Sequence, residues 1–160
     1  MKYLYKKSLF LFSFLTFSVI MQAQFSGLFA PANWGTTAVN SNGLTYTVGA
    51  PASVSMSSSD GLTGIGTNDF TIAITQAGVI SFVWNYNTID GPSWDYPMVL
   101  KNGVATQLTG YSTAGLSTQT GTQACVSVVA GDIFGFRMYS VDNVGGAATT
   151  IFDNFTFLSL

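Results

Sequence analysis

Large apolar side chains and small polar ones alternate along most of the chain beyond residue 24, with a period of two. The run at residues 79–87 shows the pattern most clearly, and its apolar positions are Ile80, Phe82, Trp84 and Tyr86. Side chains two residues apart lie on the same face of a β-strand, whereas a helix repeats its apolar positions every three to four residues. The alternation therefore predicts a strand with one buried face.

The same pattern recurs along the chain, and at residues 133–140 it leaves Arg137 and Tyr139 on the side opposite the apolar residues. Eight such runs predict strands at residues 44–48, 53–57, 70–75, 79–87, 96–101, 122–129, 133–140 and 149–157. Two shorter runs, 28–34 and 105–108, are further candidates. Strands at this spacing predict an all-β fold, an antiparallel β-sandwich of the jelly-roll type that forms a single domain.

Stretches rich in Gly, Asn, Asp and Ser separate the predicted strands. Asn102-Gly103 is the dipeptide preferred in tight hairpin turns, so it predicts a hairpin between the strands on either side. Residues 57–66 predict a mobile loop, and residues 109–122 predict an exposed connection.

The first residues have the pattern of a secretory signal peptide. Three lysines precede an uncharged apolar run of 14 residues, 8–21, and the small residue Ala23 follows. Such a run is shorter than the roughly 20 residues that span a bilayer, and no later segment is apolar enough to do so. We therefore expect a signal peptide at 1–23, a β-sandwich domain at 24–160 and no membrane span. The expected location is secreted, either extracellular or periplasmic.

Composition narrows the possible functions. Only 8% of the residues are charged, and the chain contains no His and no Glu. The signal takes three of the five Lys and Arg residues, so the domain has Lys101 and Arg137 against seven aspartates, a formal charge of −5. Nucleic-acid binding needs clustered Lys and Arg residues, so we expect that the protein does not bind nucleic acid. The single cysteine, Cys125, cannot form an internal disulfide, so the core must hold the fold.

Five segments resemble parts of a known kind of module: 30–34, 49–56, 79–86, 130–137 and 152–157. Together they resemble β-sandwich surface modules of secreted bacterial proteins. More distantly, the chain is similar to CUB domains, MAM domains and jelly-roll carbohydrate-binding modules. The resemblance implies a secreted, non-catalytic binding or adhesion module that recognises a glycan or a protein surface.

Aspartates cluster in two of the predicted loops. Asp90 and Asp95 delimit the loop between two strands, and Asp142 and Asn143 follow a later strand. The resemblance to calcium-binding CUB domains implies that Asp95, at a strand start, and Asp142, in a late loop, hold Ca²⁺, with Asp90 as a further acid. Calcium prefers oxygen ligands of this kind. The alternative is that these residues only form turns and cap strands.

Aromatic residues beside this acidic loop are candidates for ligand binding. Trp94 and Tyr96 can stack on the apolar face of a sugar ring if they are exposed, while Asp and Asn bind its hydroxyls. The sequence is compatible with both exposure and burial of Trp94. Trp34, near the start of the domain, is a further candidate, whereas Trp84 belongs to the alternating core pattern.

Two other functions compete with a binding module. Asp90 and Asp95 form a carboxylate pair of the type that hydrolyses glycosides, but no nucleophile–base set accompanies them, so we expect no enzyme. The alternative to a binding module is a structural or assembly subunit of the cell envelope or extracellular matrix, which packs against copies of itself. A sheet edge free of Lys and Pro would favour that alternative.

Overall fold

The computed structural model describes residues 22–111 and 117–160. Within these residues the chain forms short 3₁₀ helices at Gly27–Phe29 and Pro31–Asn33 and eleven β-strands. The strands are β1 Gln22–Ala23, β2 Gly35–Val39, β3 Thr45–Tyr46, β4 Ser53–Ser57, β5 Gly66–Ala73, β6 Gly78–Thr88, β7 Asp95–Lys101, β8 Val104–Gln107, β9 Ser117–Val128, β10 Ile133–Ser140 and β11 Thr149–Ser159.

The strands form two antiparallel sheets that pack face to face. The six-stranded sheet has the order β3-β4-β11-β6-β9, with β1 also paired to β11. The five-stranded sheet has the order β2-β5-β10-β7-β8. Strands consecutive in sequence, such as β4 and β5 or β6 and β7, lie in opposite sheets, which is the connectivity of a jelly roll. The predicted fold class is confirmed.

Aromatic side chains fill the space between the sheets. Phe136 of β10 stacks on Phe152 of β11, with ring centroids 4.0 Å apart, and so joins the two sheets. Phe82 of β6 meets Phe136 edge to face at 4.9 Å. Such pairs add roughly 0.5–1.5 kcal/mol each to the free energy gained by burying the rings. The apolar positions of the period-two pattern are therefore the core, as predicted.

The prediction of a strand at residues 28–34 is wrong, and so is the proposed sugar-binding role of Trp34. Pro31 begins a 3₁₀ turn, for which its fixed φ angle is suited. This turn places Trp34 in the core, where its ring lies between Phe70 at 4.6 Å and Phe136 at 5.7 Å. The indole N–H donates to the Phe29 carbonyl, so the polar group of Trp34 is also satisfied inside the protein.

The strands that the sequence pattern misses are polar ones. Every residue of β2 is exposed, and the strand is held by its pairing with β5. β9 begins at Ser117, five residues before its predicted start, because its first half is made of Ser, Thr, Gln and Gly. The prediction of residues 109–122 as a connection is thus wrong for the part from Ser117, while residues 112–116 lie outside the described residues.

The predicted Asn-Gly hairpin is confirmed. Asn102 and Gly103 connect β7 to β8, with positive φ angles of 52° and 79°. These are the backbone conformations that a tight hairpin turn requires and that Asn and Gly tolerate. The Asn102 side chain also donates to Asp132 and accepts from the Ile133 N–H, which ties the hairpin to the start of β10.

The predicted signal peptide lies outside the described residues except for its last two, Gln22 and Ala23, which form β1. Its boundary with the domain therefore stays a prediction. Among the described residues, the structure contains no helix that is long and apolar enough to cross a membrane.

Candidate functional site

Four loops meet at one end of the sandwich: β2–β3, β4–β5, β6–β7 and β10–β11. The Asn143 side chain donates to the carbonyls of Asn40, at 3.0 Å, and Gly64, at 2.8 Å, and so joins three of them. The loops bring together the aspartates that define what we call the acidic end: Asp60, Asp90, Asp95 and Asp142.

The β4–β5 loop, for which the sequence predicts mobility, is packed against its neighbours at its first residues. Ser58 and Ser59 are buried. The Ser59 hydroxyl donates to the Asn42 side chain at 2.9 Å, and the Asn42 amide in turn donates to the Asp60 carbonyl. The Asp60 carboxylate accepts the Gly146 N–H at 3.2 Å, which fixes this loop against β10–β11.

No cation among the described residues compensates the charges of the acidic end. Arg137 makes a bidentate ion pair with Asp69, at 2.6 and 2.7 Å, and Lys101 pairs with Asp132 at 3.3 Å. Burial raises the pKa of Asp90, and the neighbouring carboxylates of Asp142 and Asp60 raise it further. The acidic end therefore repels anions and favours cations.

Asp95 points into the protein and has no solvent exposure. Burial raises the pKa of its carboxyl to about 6, because the charged form loses its hydration. The hydroxyls of Ser140 and Ser58 lie close enough to lower that pKa in part, but neither makes a hydrogen bond of normal geometry to the carboxylate. The carboxylate oxygens of Asp95 and the Asn143 side-chain carbonyl are buried without a hydrogen-bond partner.

The structure thus gathers the predicted calcium ligands Asp90, Asp95, Asp142 and Asn143 at one end of the sandwich. It does not arrange three or more acidic or cysteine side chains into a metal-holding group anywhere in the described residues. One oxygen of the Asp142 carboxylate accepts the Val144 N–H at 3.2 Å, as a turn residue does. The buried oxygens without a hydrogen-bond partner at this end belong to Asp95 and Asn143.

Burial of Asp95 also bears on glycoside hydrolysis by an Asp90–Asp95 pair. Both carboxyl groups of such a pair must reach the scissile bond. A carboxyl group with no solvent exposure cannot contact a sugar at the surface. The hydrolase alternative therefore lacks one of its two groups.

The predicted aromatic residues are accessible. Trp94 is 42% exposed in the β6–β7 loop, and its carbonyl accepts the Val141 N–H at 2.8 Å, which fixes it beside the β10–β11 loop. Tyr96 is half-buried, one residue after Asp95, so the alternation of the strand sends it to the outer face of the five-stranded sheet.

On that face Tyr96 stacks against Tyr139 of β10, with ring centroids 5.1 Å apart and planes inclined by 16°. We call these residues the tyrosine pair. Burial raises the pKa of Tyr96, and the nearby phenols of Tyr139 and Tyr111 add to the effect, so a third tyrosine lies close by. Tyr111 is 81% exposed.

The Arg137–Asp69 ion pair lies on the same outer face, one pleat along from the tyrosine pair, since Arg137 and Tyr139 are two residues apart in β10. The sequence pattern predicts that Arg137 and Tyr139 point outward, but it does not predict that they lie beside Tyr96. The missing information was the strand order, because only the pairing of β7 with β10 brings these residues together.

Comparison with known proteins identifies the class by fold. No protein-family model matches the sequence, and no curated protein sequence matches it. The K1 cleaved adhesin domain of Lys-gingipain from Porphyromonas gingivalis superposes with a TM-score of 0.51 at 11% identity, over 89% of this chain and 99% of that one. The family 11 carbohydrate-binding module of a Clostridium thermocellum cellulosomal cellulase gives 0.46 at 12% identity, over 89% and 95%.

The protein is thus a β-sandwich module, and its architecture is shared with the gingipain adhesin domain. At this level of identity the likeness concerns the fold. The chemistry of the exposed residues has to indicate the function.

Proposed function

We propose that the protein is a secreted, non-catalytic module that binds a neutral glycan on the outer face of its five-stranded sheet. The observation that carries the proposal is the partly exposed tyrosine pair, Tyr96 and Tyr139, close to the exposed Trp94. Aromatic rings with a polar group at one end suit sugars, whose C–H faces pack on the ring while their hydroxyls form hydrogen bonds.

Polar groups of fixed geometry next to the tyrosine pair support this assignment. The bidentate ion pair holds Arg137 and Asp69 in one orientation, so their remaining donor and acceptor capacity is preorganised for hydroxyl groups. A small number of oriented polar groups beside an apolar surface is typical of ligand sites. On the neighbouring strands, Thr67 lies opposite Tyr139 and Met98 lies opposite Arg137, so these two residues border the tyrosine pair and the ion pair.

The charge of the protein indicates a neutral glycan. Both cations of the described residues are engaged in ion pairs, and the acidic end lies beside Trp94. An anionic polysaccharide would therefore be repelled by the aspartates, and neither Lys101 nor Arg137 is free to offset this repulsion. Affinity gel electrophoresis against soluble neutral glucans, mannans, galactans and xylans, with polygalacturonate as the anionic comparison, tests the ligand class. Retardation by a neutral polymer alone is expected, and retardation only by polygalacturonate would contradict the proposal.

A calcium ion at the acidic end is a second part of the proposal. The unpartnered buried oxygens of Asp95 and Asn143 support it, since a cation would supply the interaction that they lack. Calcium takes six to eight oxygen ligands, so main-chain carbonyls and water would complete the set. Bound there, the ion would neutralise the Asp95 carboxylate and fix the start of β7, which carries Tyr96.

Secretion is the third part, and it rests on residues 1–23. If the signal peptide is cleaved after Ala23, the exported protein begins at Gln24. N-terminal sequencing of the protein recovered outside the cytoplasm tests this. A product that retains residue 1 would contradict cleavage.

A further inference from the structure

β9 is an edge strand with unusual composition. It ends the six-stranded sheet and pairs with β6 on one side only. Its twelve residues, Ser117–Val128, include no charged residue and no proline. The main-chain N–H and C=O groups on the free side of such a strand can bind another strand.

The other edge strands of the described residues are short. β2 has five residues, β8 has four, and β1 and β3 have two each. Proteins protect long edges with charges, prolines or bulges, and β9 has one irregularity of this kind, at Cys125, where φ is +59°. From Ser117 to Gln123 its register with β6 is regular and none of these protections is present.

The structure favours a second copy of the same chain as the occupant of this edge. An antiparallel pair of identical strands is self-complementary, so a two-fold axis at Thr120 would place Thr118 of one copy opposite the partner's Thr122. Threonine pairs across antiparallel strands are stabilising. The outward neighbours of this segment in β6 are Val83, Asn85 and Asn87, all uncharged, so no carboxylate would face another across the new pair.

The charge distribution also selects the antiparallel arrangement. Ser117 pairs with Thr88, two residues before Asp90, so the first half of β9 lies towards the acidic end. Antiparallel pairing directs the acidic ends of two copies in opposite directions, whereas parallel pairing would set them side by side. Because both cations of the described residues are held in ion pairs elsewhere, side-by-side placement of the acidic ends would be repulsive.

We propose that the protein forms a symmetric dimer in which the Ser117–Gln123 segment of β9 pairs antiparallel with the same segment of a second copy. The six-stranded sheets of two copies then become continuous. The five-stranded sheets with their tyrosine pairs stay exposed on both subunits, so the dimer presents two glycan sites. The dimer does not depend on the proposed glycan binding, and its test uses no glycan.

The test is the mass of the protein, purified as the cell exports it, by sedimentation velocity over a range of concentrations, compared with two lysine variants. Thr120→Lys places two like charges at the two-fold axis and should give a monomer. Thr149→Lys is the matched control, because Thr149 is exposed on the same outer face but in the central strand β11, and it should dimerise like the wild type. A wild type that is monomeric throughout, or a Thr120→Lys variant that dimerises equally well, overturns the proposal.

Disulfide cross-linking tests the register separately from folding. Opposed Cα atoms in an antiparallel pair are about 4.5–5.5 Å apart, within the range of a disulfide. In a Cys125→Ser background, Thr120→Cys should therefore yield a covalent dimer on oxidation, and Thr149→Cys should not. A dimer by mass that fails to cross-link through position 120 would show a different interface and contradict the proposal.

Discussion

At the scale of single residues, Asp95 is the group whose protonation most affects the fold. Its carboxyl is buried among Ser58, Ser140 and the neighbouring aspartates, and its pKa is raised to about 6. In the unfolded chain the same group ionises near its ordinary value of 3.8. Between these values the folded state binds the proton and the unfolded state does not.

The first prediction is that, in EDTA, Asp95 makes the protein less stable as the pH rises from about 4 to about 6. The protonated Asp95 contributes about 3 kcal/mol to the free energy of unfolding. This contribution is fully present below the pKa of the unfolded chain and is lost above the pKa of the folded protein. Urea unfolding of wild type and Asp95→Asn from pH 4 to 7 measures it, since the amide does not titrate. As the pH rises, the free energy of unfolding of the wild type should fall by about that amount relative to that of Asp95→Asn. Parallel pH profiles would show that Asp95 is not buried as an acid.

Only part of the acidic end is predictable from the sequence. Asp90, Asp95, Asp142 and Asn143 can be identified as candidates because the sequence shows that they lie in acidic loops. It could not distinguish the buried Asp95 from the half-exposed Asp90, since burial depends on which loops meet. Asp60 was not predicted to belong to this group for the same reason.

At the scale of elements, the strands with strict alternation were predictable and the polar ones were not. β6 and β10 bury one face of large apolar side chains, and the period-two spacing of these residues predicts which face points inward. In the first half of β9 the inward positions include Gly121 and Gln119, which do not look like a buried face. The reason is local packing, because a Cβ at Gly121 would lie only 2.5 Å from the Trp84 ring.

This close approach gives the second prediction. Gly121→Ala should destabilise the protein by about 1–3 kcal/mol, since β9 or the buried indole of Trp84 must move to admit the methyl group. Gly35→Ala in β2 is the matched control, because a Cβ there meets nothing within 4 Å. Its effect should be neutral or slightly stabilising. Equal unfolding free energies for the two variants would contradict the packing of β9 over Trp84.

At the scale of the whole molecule, one strand connects the two proposed sites. Asp95 and Tyr96 are consecutive in β7, so one side chain enters the acidic end while the next joins the tyrosine pair. The jelly-roll topology then adds β10 beside β7, which supplies Ser140 to one site and Tyr139 to the other. These residues lie side by side because of the strand order. The alternation of apolar and polar residues along the chain does not predict that order.

The third prediction concerns calcium. At pH 7, Ca²⁺ at a hundredfold excess over its dissociation constant should stabilise the protein by about 3 kcal/mol relative to EDTA, because it binds only the folded state. The shift in thermal midpoint should vanish in Asp95→Asn. It should persist in the control Asn87→Ala, whose side chain lies on the outer face of the six-stranded sheet. An unchanged wild-type midpoint would remove calcium from the proposal and leave the glycan surface untouched.

The tyrosine pair is the basis of the proposed function, and a binding titration tests it most directly. Calorimetric titration of the neutral polysaccharide that retards the protein should show at least about tenfold weaker binding for Tyr139→Ala, or about 1.4 kcal/mol. Tyr46→Ala is the control, because Tyr46 is 48% exposed on the opposite sheet, and its affinity should equal that of the wild type. Unchanged binding by Tyr139→Ala, or an equal loss in both variants, would contradict a glycan site on the five-stranded sheet.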